Sequence, residues 1–427
     1  MPLTRKILQK HMAYSLFITI VGTYLFLALF FPVAYIWAVY EDLVGEWAQW
    51  YCFIIAFFFS IRNSMSSHRY RPFFIFLSIA TFYVVMEEIS WGQRMLNYSS
   101  PDFFRQHNLQ NEANLHNFIV GPYDTILRSI IEYSLALCLF IYGLVYPLLI
   151  IKQSRLAIFT HRWIPAPPLY LWPFFVMAAV LELSPFYMLE QELAELLVGS
   201  ALALMSMSYY YSLREEKQTS QQELIWRTSM ITIGVLSLSL LTTSIVHSIP
   251  HMKVQTDKRI QYGYSKFASR YQRYEAWGLI AQLNERLLEK KPRDVNLIRD
   301  TASLYKRSGN KQQMVKLVNK ALAIDLPRFQ RYPEWISVNL SLAKTYELTG
   351  NTTKINRHLD NALIGAKKKI KKSPDNANNA YWLGKTYAQR KEAELATLQF
   401  KRAFELKPES SKYREAYYRS RDIISKK

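Results

Sequence analysis

The sequence predicts an all-α protein: a seven-helix transmembrane bundle over residues 1–252, followed by a helical solenoid over residues 253–427. Three observations predict this fold. The first part contains one apolar run after another, each close to the roughly 20 residues that a transmembrane helix needs. The second part has no long apolar run and carries 38 Lys and Arg against 17 Asp and Glu, so it accounts for the net charge of +20. A helical pattern also recurs within this second part.

The seven predicted spans are separated by loops of different length. They cover residues 15–40, 44–61, 72–91, 124–151, 167–187, 190–212 and 226–248. The apolar stretch of the first span is longer than that of a cleaved signal peptide, and no small-residue cleavage site follows it. We therefore interpret this first run as a membrane span.

The positive charges of the short loops predict the orientation. Lys and Arg lie before the first span and between spans two and three, four and five, and six and seven, whereas the opposite loops are poor in cations. Cytoplasmic loops carry such an excess. The N-terminus is therefore expected in the cytoplasm, and seven crossings place residues 253–427 outside. We predict a multi-pass protein of the bacterial inner membrane with a periplasmic C-terminal domain.

Residues 380–408 read AYWLGKTYAQRKEAELATLQFKRAFELKP. With Ala380 in the place of the usual Trp, the pattern continues in register through Leu383, Gly384, Tyr387, Ala396, Phe400, Ala403 and Pro408. This stretch resembles a tetratricopeptide repeat (TPR). In such a pair of antiparallel helices, Gly384 and Ala403 would permit a close approach, and Tyr387 and Phe400 would fill the space between the helices.

Weaker copies of the pattern precede this one. Residues 336–375 carry Tyr346, Leu359 and Ala362; residues 295–327 carry Tyr305, Val318 and Ala321; and a degenerate start carries Tyr264, Ala268 and Tyr271. The resemblance covers about 150 residues and none of the membrane part. It implies a solenoid of stacked helices that binds proteins or peptides, and it implies no catalytic residue.

The segment KKKIKK at residues 367–372 is the densest part of the basic excess. It fits either a solvated helix face or a patch that attracts an anionic surface. Because the domain is expected outside the cytoplasm, we expect no nucleic acid as partner. Anionic lipid head groups, acidic glycans or an acidic protein fit a positive field there.

A polar cluster is predicted on the outer side of the membrane part. MEEISWGQR places Glu87 and Glu88 at the end of the third span, with Trp91 and Arg94 on the helical face of Glu87 and with Gln93 between them. Further along, Ser99 or Ser100 with Pro101 indicates a helix start. The remaining members at this depth are Arg105, Glu112, His116, Glu182, Glu190, Glu192 and Glu195.

Ionisable side chains within a membrane are costly and are candidates for function. Glu87, Glu88, Glu112 and His116 are candidate catalytic residues. Three of them, Glu88, Glu112 and His116, are candidate metal ligands, because positions 112 and 116 would project together from a helix. Arg94 and Arg105 could bind an anion. Trp91, Gln93, Glu182 and Glu195 complete the predicted polar site. His247 and His251 form a second pair, but Pro250 would break a regular helix between them.

Other interpretations of the cluster remain open. Glu87, Glu88 and Glu182 could pair with Arg94, Arg105 or Arg128 in a buried network that performs no chemistry. The same carboxylates could also form a proton or ion path, or line a pocket for a lipid or another ligand.

The run EEISWGQR…NEANLHN is similar to that of uncharacterised bacterial polytopic membrane proteins, which implies no mechanism. The sequence contains no Gly-rich phosphate loop, HExxH, G-x-S-x-G or CxxC motif. We therefore expect a scaffold or assembly factor of a cell-envelope complex that binds a partner protein through the TPR-like domain. The alternative is a metal-dependent membrane hydrolase or transferase acting on a lipid-linked substrate at the outer leaflet, which would need a divalent metal ion as cofactor.

Overall fold

A computed structural model describes residues 3–108, 113–115, 126–213 and 221–425. All regular secondary structure within these ranges is helical, which confirms the all-α class. The chain divides into two compact units, Met1–Arg270 and Tyr271–Lys427. The boundary between them falls near the end of the helix Pro250–Gln272, whereas the sequence placed it near the start of that helix.

The first unit consists of long apolar helices and several short ones. Its α-helices are α1 (Leu3–Phe30), α2 (Pro32–Val39), α3 (Val44–Ser66), α4 (Arg71–Glu88), α5 (Gln93–Leu96), α6 (Asp102–His107), α7 (Ile126–Phe140), α8 (Tyr146–Ile151), α9 (Arg155–Thr160), α10 (Trp172–Glu182), α11 (Glu190–Leu213), α12 (Gln221–Ser248) and α13 (Pro250–Gln272). A π-helical turn, Ile141–Val145, joins α7 to α8.

Five helical stretches among the described residues are long and apolar enough to cross a membrane: Gln9–Phe30, Pro32–Ser66, Arg128–Ile151, Glu190–Ser212 and Ser229–Ser248. The protein is therefore membrane-embedded. The other two predicted spans correspond to helices outside this group. Helix α4 carries three charged residues within its 18 positions, and the apolar helix Leu169–Glu182 is short.

Three of the predicted spans differ from the helices that the structure contains. The first is interrupted at Phe31, whose backbone is not helical because Pro32 disfavours the helical conformation of the residue before it. The third ends at Glu88 rather than at residue 91, since Ser90 and Trp91 have φ values of 48° and 54°. The fifth ends at Glu182, shortly before the left-handed residue Ser184.

Helix α3 is the centre of the first unit and packs against α2, α4, α11 and α12. Small polar side chains join it to α11. Ser60 and Ser206 are hydrogen bonded at 3.2 Å, and the Asn63 amide donates to the Ser206 carbonyl at 2.8 Å. Small residues let membrane helices approach closely, and their hydrogen bonds hold the contact. This packing brings the beginnings of α3 and α11 together.

The second unit is a succession of helices joined by short connections. They are α14 (Trp277–Lys290), α15 (Val295–Arg307), α16 (Lys311–Arg331), α17 (Ile336–Thr349), α18 (Thr352–Lys372), α19 (Ala377–Gln389), α20 (Ala393–Leu406) and α21 (Ser411–Ser425). Each packs against the next, and α17 also contacts α15 and α19. Asp294, Asn310, Asn351 and Asn376 cap helix N-termini with their side chains.

The predicted packing residues lie between α19 and α20 and around them. Leu383, Ala396, Phe400 and Ala403 are buried, Tyr387 packs at the edge of a neighbouring apolar cluster, and Pro408 follows the end of α20. The corresponding residues of the earlier copies also pack together. Tyr305, Val318 and Ala321 belong to one apolar core cluster, and Leu359 and Ala362 belong to the next one. In the degenerate start, Tyr264 and Ala268 belong to the first unit and Tyr271 to the second.

His358 makes the stability of the second unit depend on pH. The side chain is buried, lies 3.0 Å from the Asn339 amide oxygen through Nδ1, and stacks on Tyr346. Burial, followed by the positive charges of Arg357 and Lys354, lowers the pKa of His358. Near pH 6.5 the imidazole of His358 therefore becomes protonated in the unfolded chain, whereas in the folded chain it stays neutral down to a lower pH. Stability is expected to fall as the pH drops below about 6.5.

Thermal unfolding of the full chain in detergent at pH 7.5, 6.5 and 5.5 measures this effect. The variant His358→Gln should lose part of the decrease in melting temperature between pH 6.5 and 5.5, because glutamine does not titrate. An equal decrease in both proteins would contradict the assignment to His358.

Candidate functional site

The first unit encloses a cavity of about 470 Å³ between α3, α4, α7, α10 and α11. Seven glutamates line it: Glu41, Glu46, Glu87, Glu88, Glu182, Glu192 and Glu195. The other lining residues are mainly apolar, and the described wall includes no Lys, Arg or His. The predicted meeting of carboxylates from separate segments is thus present for Glu87, Glu88, Glu182 and Glu195.

The cavity is polar near the helix ends and apolar further in. On α11 the lining positions Glu192, Glu195, Val198 and Leu202 follow one helical face inwards. On α4, the two glutamates occupy the last turn, and Leu77 lies several turns earlier. The carboxylates therefore share one end of the cavity, and leucine and valine side chains line its depth.

Glu87 connects the end of α4 to the segment 113–115. Its carboxylate accepts hydrogen bonds from the Trp91 indole at 2.8 Å and from the Leu115 backbone N–H at 2.7 Å. Trp91 reaches Glu87 from a left-handed turn, and not from the continuous helical face that the sequence predicted. Nearby, Gln93 accepts the Ala113 N–H at 2.6 Å and the Asn114 amide donates to Ser90 at 3.0 Å.

Gln49 on α3 bridges two of the cavity glutamates. Its amide nitrogen donates to Glu88 at 3.1 Å and also to Glu195. The side chain is only 1% exposed, and its amide oxygen accepts no hydrogen bond from the residues that the structure describes. Gln49 could not be predicted as a site residue, because an uncharged residue inside an apolar run gives no signal of its own. Glu41 and Glu46 were considered only as loop charges, although they too line the cavity.

Glu182 and Glu192 differ from the other cavity glutamates. The structure gives their carboxylates no hydrogen bond and no salt bridge within the described residues. Gln191 binds the backbone carbonyl of Glu182 at 3.0 Å, not its side chain. Glu190, by contrast, faces its own helix start, where it accepts the N–H groups of Phe186 and Met188.

Several predicted site residues lie elsewhere. Arg105 is exposed and pairs with Asp102. Arg128 pairs with Glu132 at 2.7 Å, and its positive charge also acts on Glu182 in the cavity wall. Glu112, His116 and the side chain of Arg94 lie outside the described residues. The part of the chain that is described contains no group of three or more His, Cys, Asp or Glu spaced to hold a metal ion.

The second candidate pair of histidines is separated as the sequence predicted. Helix α12 ends at Ser248 and α13 begins at Pro250. His247 lies 3.8 Å from Asp257 and beside the Trp37 ring. This pair therefore belongs to two helices, and His247 faces a carboxylate that does not line the cavity.

The second unit carries a groove with a volume of about 370 Å³. Its walls come from α15, α17 and α19, which are alternate helices of the second unit, together with α16. Five cations line it against two carboxylates. They are Arg293, Arg299, Arg328, Lys344 and Lys385, with Asp294 and Asp325.

The two carboxylates of the groove are already engaged. Asp325 is buried, accepts the Ser341 hydroxyl at 2.5 Å and lies 3.6 Å from Arg328. Arg299 donates to the Ser341 carbonyl at 2.8 Å. Asp294 caps the N-terminus of α15 through the N–H groups of residues 296 and 297. These bonds hold the groove in shape and leave its charge predominantly positive.

The remaining cations of the groove lack such partners. Arg293, Lys344 and Lys385 form no salt bridge with any described residue. Burial, and then the positive charges of Lys344, Lys412 and Arg299, lower the pKa of Lys385. Its ammonium group lies 5.0 Å from the centre of the Trp382 ring, which adds an aromatic surface to the groove. The groove is thus suited to an anionic ligand.

The lysines of residues 367–372 lie outside this groove. All five are exposed on α18, and Ile370 between them packs into the apolar core. This arrangement agrees with the interpretation of the segment as a solvated helix face.

Comparison of the sequence with protein-family models gave no match, and a search of curated proteins found no relative.

Proposed function

We propose that this protein is an inner-membrane scaffold or assembly factor of a cell-envelope complex, and that its second unit binds an acidic segment of a partner protein. The observation that carries this proposal is the cationic groove, which extends over three successive helix pairs. Its positive charge attracts an acidic chain, and Trp382 offers a surface for an apolar side chain. A field of this sign increases both the encounter rate and the discrimination between partners.

The proposal includes the finer architecture that the sequence suggested. The second unit is a TPR-like solenoid in the periplasm, the N-terminus is cytoplasmic, and seven spans separate the two. Pairwise packing of successive helices and the glycine contact between α19 and α20 support the repeat. A C-terminal reporter enzyme that is active only in the cytoplasm tests the orientation: activity of this reporter would contradict it.

The alternative of a metal-dependent hydrolase or transferase would use Glu87, Glu88, Glu112, His116 and Glu182, and its metal ligands beside Glu88 would be Glu112 and His116. Both lie outside the described residues, so no observed geometry favours this reaction. The groove therefore carries the proposal.

Charge reversal in the groove tests the binding function. The full chain in a mild detergent is expected to bind a fluorescent Asp/Glu-rich peptide of about 12 residues, measured by anisotropy at 150 mM salt. The variant Lys344→Glu/Lys385→Glu should weaken this binding at least roughly tenfold, since like charges then face the peptide. A Lys-rich peptide of equal length should not bind the original protein.

The matched control is Lys369→Glu/Lys371→Glu, which changes the net charge equally on the exposed face of α18. This variant should retain most of the affinity. Equal loss in both variants would mean that general attraction, and not the groove, binds the peptide. In cells, a partner that co-purifies with the original protein should be lost from the groove variant and retained by the control.

A further inference from the structure

We propose that one rim of the first unit binds the phosphate head group of an anionic membrane lipid. The rim is formed by the connection between α3 and α4 and by the segment that follows α8. Five cations define this basic rim: Arg69, Arg71, Lys152, Arg155 and Arg162. The rim belongs to the first unit and the groove to the second, so the inference does not depend on the proposed function.

The basic rim lies where a membrane helix ends. The apolar stretch Arg128–Ile151 is long enough to cross a membrane, and Lys152 follows it directly. Helix α9 begins three residues later, at Arg155. Backbone hydrogen bonds continue its turn to Ile164, whose N–H donates to the Thr160 carbonyl at 3.0 Å. Cations at such a helix end meet the head groups of the bilayer and not its apolar interior.

Two connections of the bundle meet at the basic rim. The Arg69 guanidinium donates to the His161 carbonyl at 3.1 Å, and the Tyr70 hydroxyl lies 3.2 Å from Nε2 of His161. The Tyr146 hydroxyl donates to the Ile164 carbonyl at 2.6 Å. These contacts fasten the end of α9 to the bundle, so the side chains on its outer face point in a defined direction.

The outer face of α9 carries arginines beside large apolar side chains. Arg155 and Arg162 are exposed and seven positions apart, so they lie along one line of the helix. The adjacent line consists of apolar residues that are 73%, 60% and 63% exposed: Leu156, Phe159 and Trp163. A soluble anion would contact only the cations. A membrane surface contacts both lines, because apolar side chains enter the boundary of the acyl chains while arginines reach the phosphates.

The cations of the basic rim are available to an anion. No Asp or Glu occurs within residues 62–71 or 152–171. None of the five cations forms a salt bridge with a residue that the structure describes. Arg69 and Arg71 each donate one observed hydrogen bond to a backbone carbonyl, which leaves other N–H groups of each guanidinium for a ligand. Guanidinium groups bind phosphate through paired hydrogen bonds, and an anionic phospholipid supplies phosphate at this depth.

Quenching of Trp163 by bromine-labelled lipids tests the proposal. The full chain is placed in phosphatidylcholine nanodiscs that contain a minor fraction of labelled phosphatidylglycerol or of labelled phosphatidylcholine. The difference in fluorescence between the original protein and Trp163→Phe reports Trp163 alone. We expect the labelled phosphatidylglycerol to bind at least roughly fivefold more strongly, since each cation near an anionic surface strengthens binding about fivefold. Equal quenching by the two labelled lipids would overturn the proposal.

Variants connect this preference to the basic rim. Arg155→Gln/Arg162→Gln should reduce the preference for phosphatidylglycerol at least roughly fivefold. Both positions are exposed, so the melting temperature should stay unchanged. The control Lys253→Gln/Lys258→Gln removes the same charge from exposed positions of α13, which adjoins the beginning of α3 rather than its end. This control should keep the preference. An undiminished preference in the arginine variant, or an equal loss in both variants, would overturn the proposal.

Soluble competitors distinguish a lipid from other anions. At constant ionic strength, inorganic phosphate should leave the quenching by labelled phosphatidylglycerol unchanged. The Asp/Glu-rich peptide should also leave it unchanged when it is added to the groove variant Lys344→Glu/Lys385→Glu. Reversal of the quenching by phosphate would identify a site for a soluble anion, and reversal by the peptide would identify a surface for a protein. Either result would overturn the proposal.

Discussion

The variant Gly143→Ala is expected to destabilise the first unit by about 3 kcal/mol, because a methyl group at this position has no space. Gly143 is buried within the π-helical turn that joins α7 to α8, where the chain packs against α10. An added Cβ would lie 2.0 Å from the Cβ of Phe175. A Cβ atom cannot move away without its backbone, so α10 itself would have to shift.

The melting temperature of the purified protein in detergent measures this loss, and a matched glycine is available as control. Gly234 also lies in a long apolar helix, and a Cβ there would meet no atom within 4 Å. Gly234→Ala is therefore expected to be neutral or slightly stabilising, since alanine favours a helix over glycine. Similar melting temperatures for the two variants would contradict the close contact between α10 and the π-helical turn.

The variant Gly384→Val is expected to destabilise the second unit by about 3 kcal/mol. Gly384 on α19 faces Phe400 on α20, and an added Cβ would lie 2.7 Å from one carbon of that buried ring. The branched side chain would then force the two helices apart. This pair of helices contains the residues that resemble a tetratricopeptide repeat most closely. The measurement is thermal or chemical unfolding of the full chain.

Removal of the ring identifies the cause of this loss. Phe400→Ala alone should cost about 3–5 kcal/mol, because it leaves a cavity. In the double variant the valine can occupy part of that cavity, so the combined loss should be clearly smaller than the sum of the two single losses. Ala388→Val, at an exposed position of the same helix, is the control and should change stability by less than about 1 kcal/mol. Additive losses would mean that Gly384 and Phe400 do not share one contact.

Much of the helical organisation could be predicted, because it depends on local properties of the chain. Apolar runs of sufficient length form helices in lipid, where each backbone group must find its partner within its own segment. The burial of Leu383, Ala396, Phe400 and Ala403 was expected from the resemblance of this stretch to a tetratricopeptide repeat. The end of α4 could not be predicted in this way. Ser90 and Trp91 adopt left-handed conformations that are uncommon for residues other than glycine, and no sequence signal marks them.

The candidate sites were predictable to different extents. Alternation of the spans indicated that Glu87, Glu88, Glu182 and Glu195 would meet, because their depth follows from their place at the ends of apolar runs. The groove of the second unit was not predicted, although a signal exists. Arg299, Lys344 and Lys385 lie on the alternate helices α15, α17 and α19. Their similar spacing along the chain places them side by side in the groove.

The sequence by itself determined that this protein is helical, that its first unit is apolar enough for a membrane and that its basic charge lies in the second part. These properties depend on composition and on spacing along the chain. Only the tertiary structure decided which side chains share a site. Gln49 and Glu195 are 146 positions apart, and their contact depends on the rotation of α3 and α11 about their own axes. That rotation is set by packing at positions such as Ser60 and Ser206, where small residues let the two helices meet.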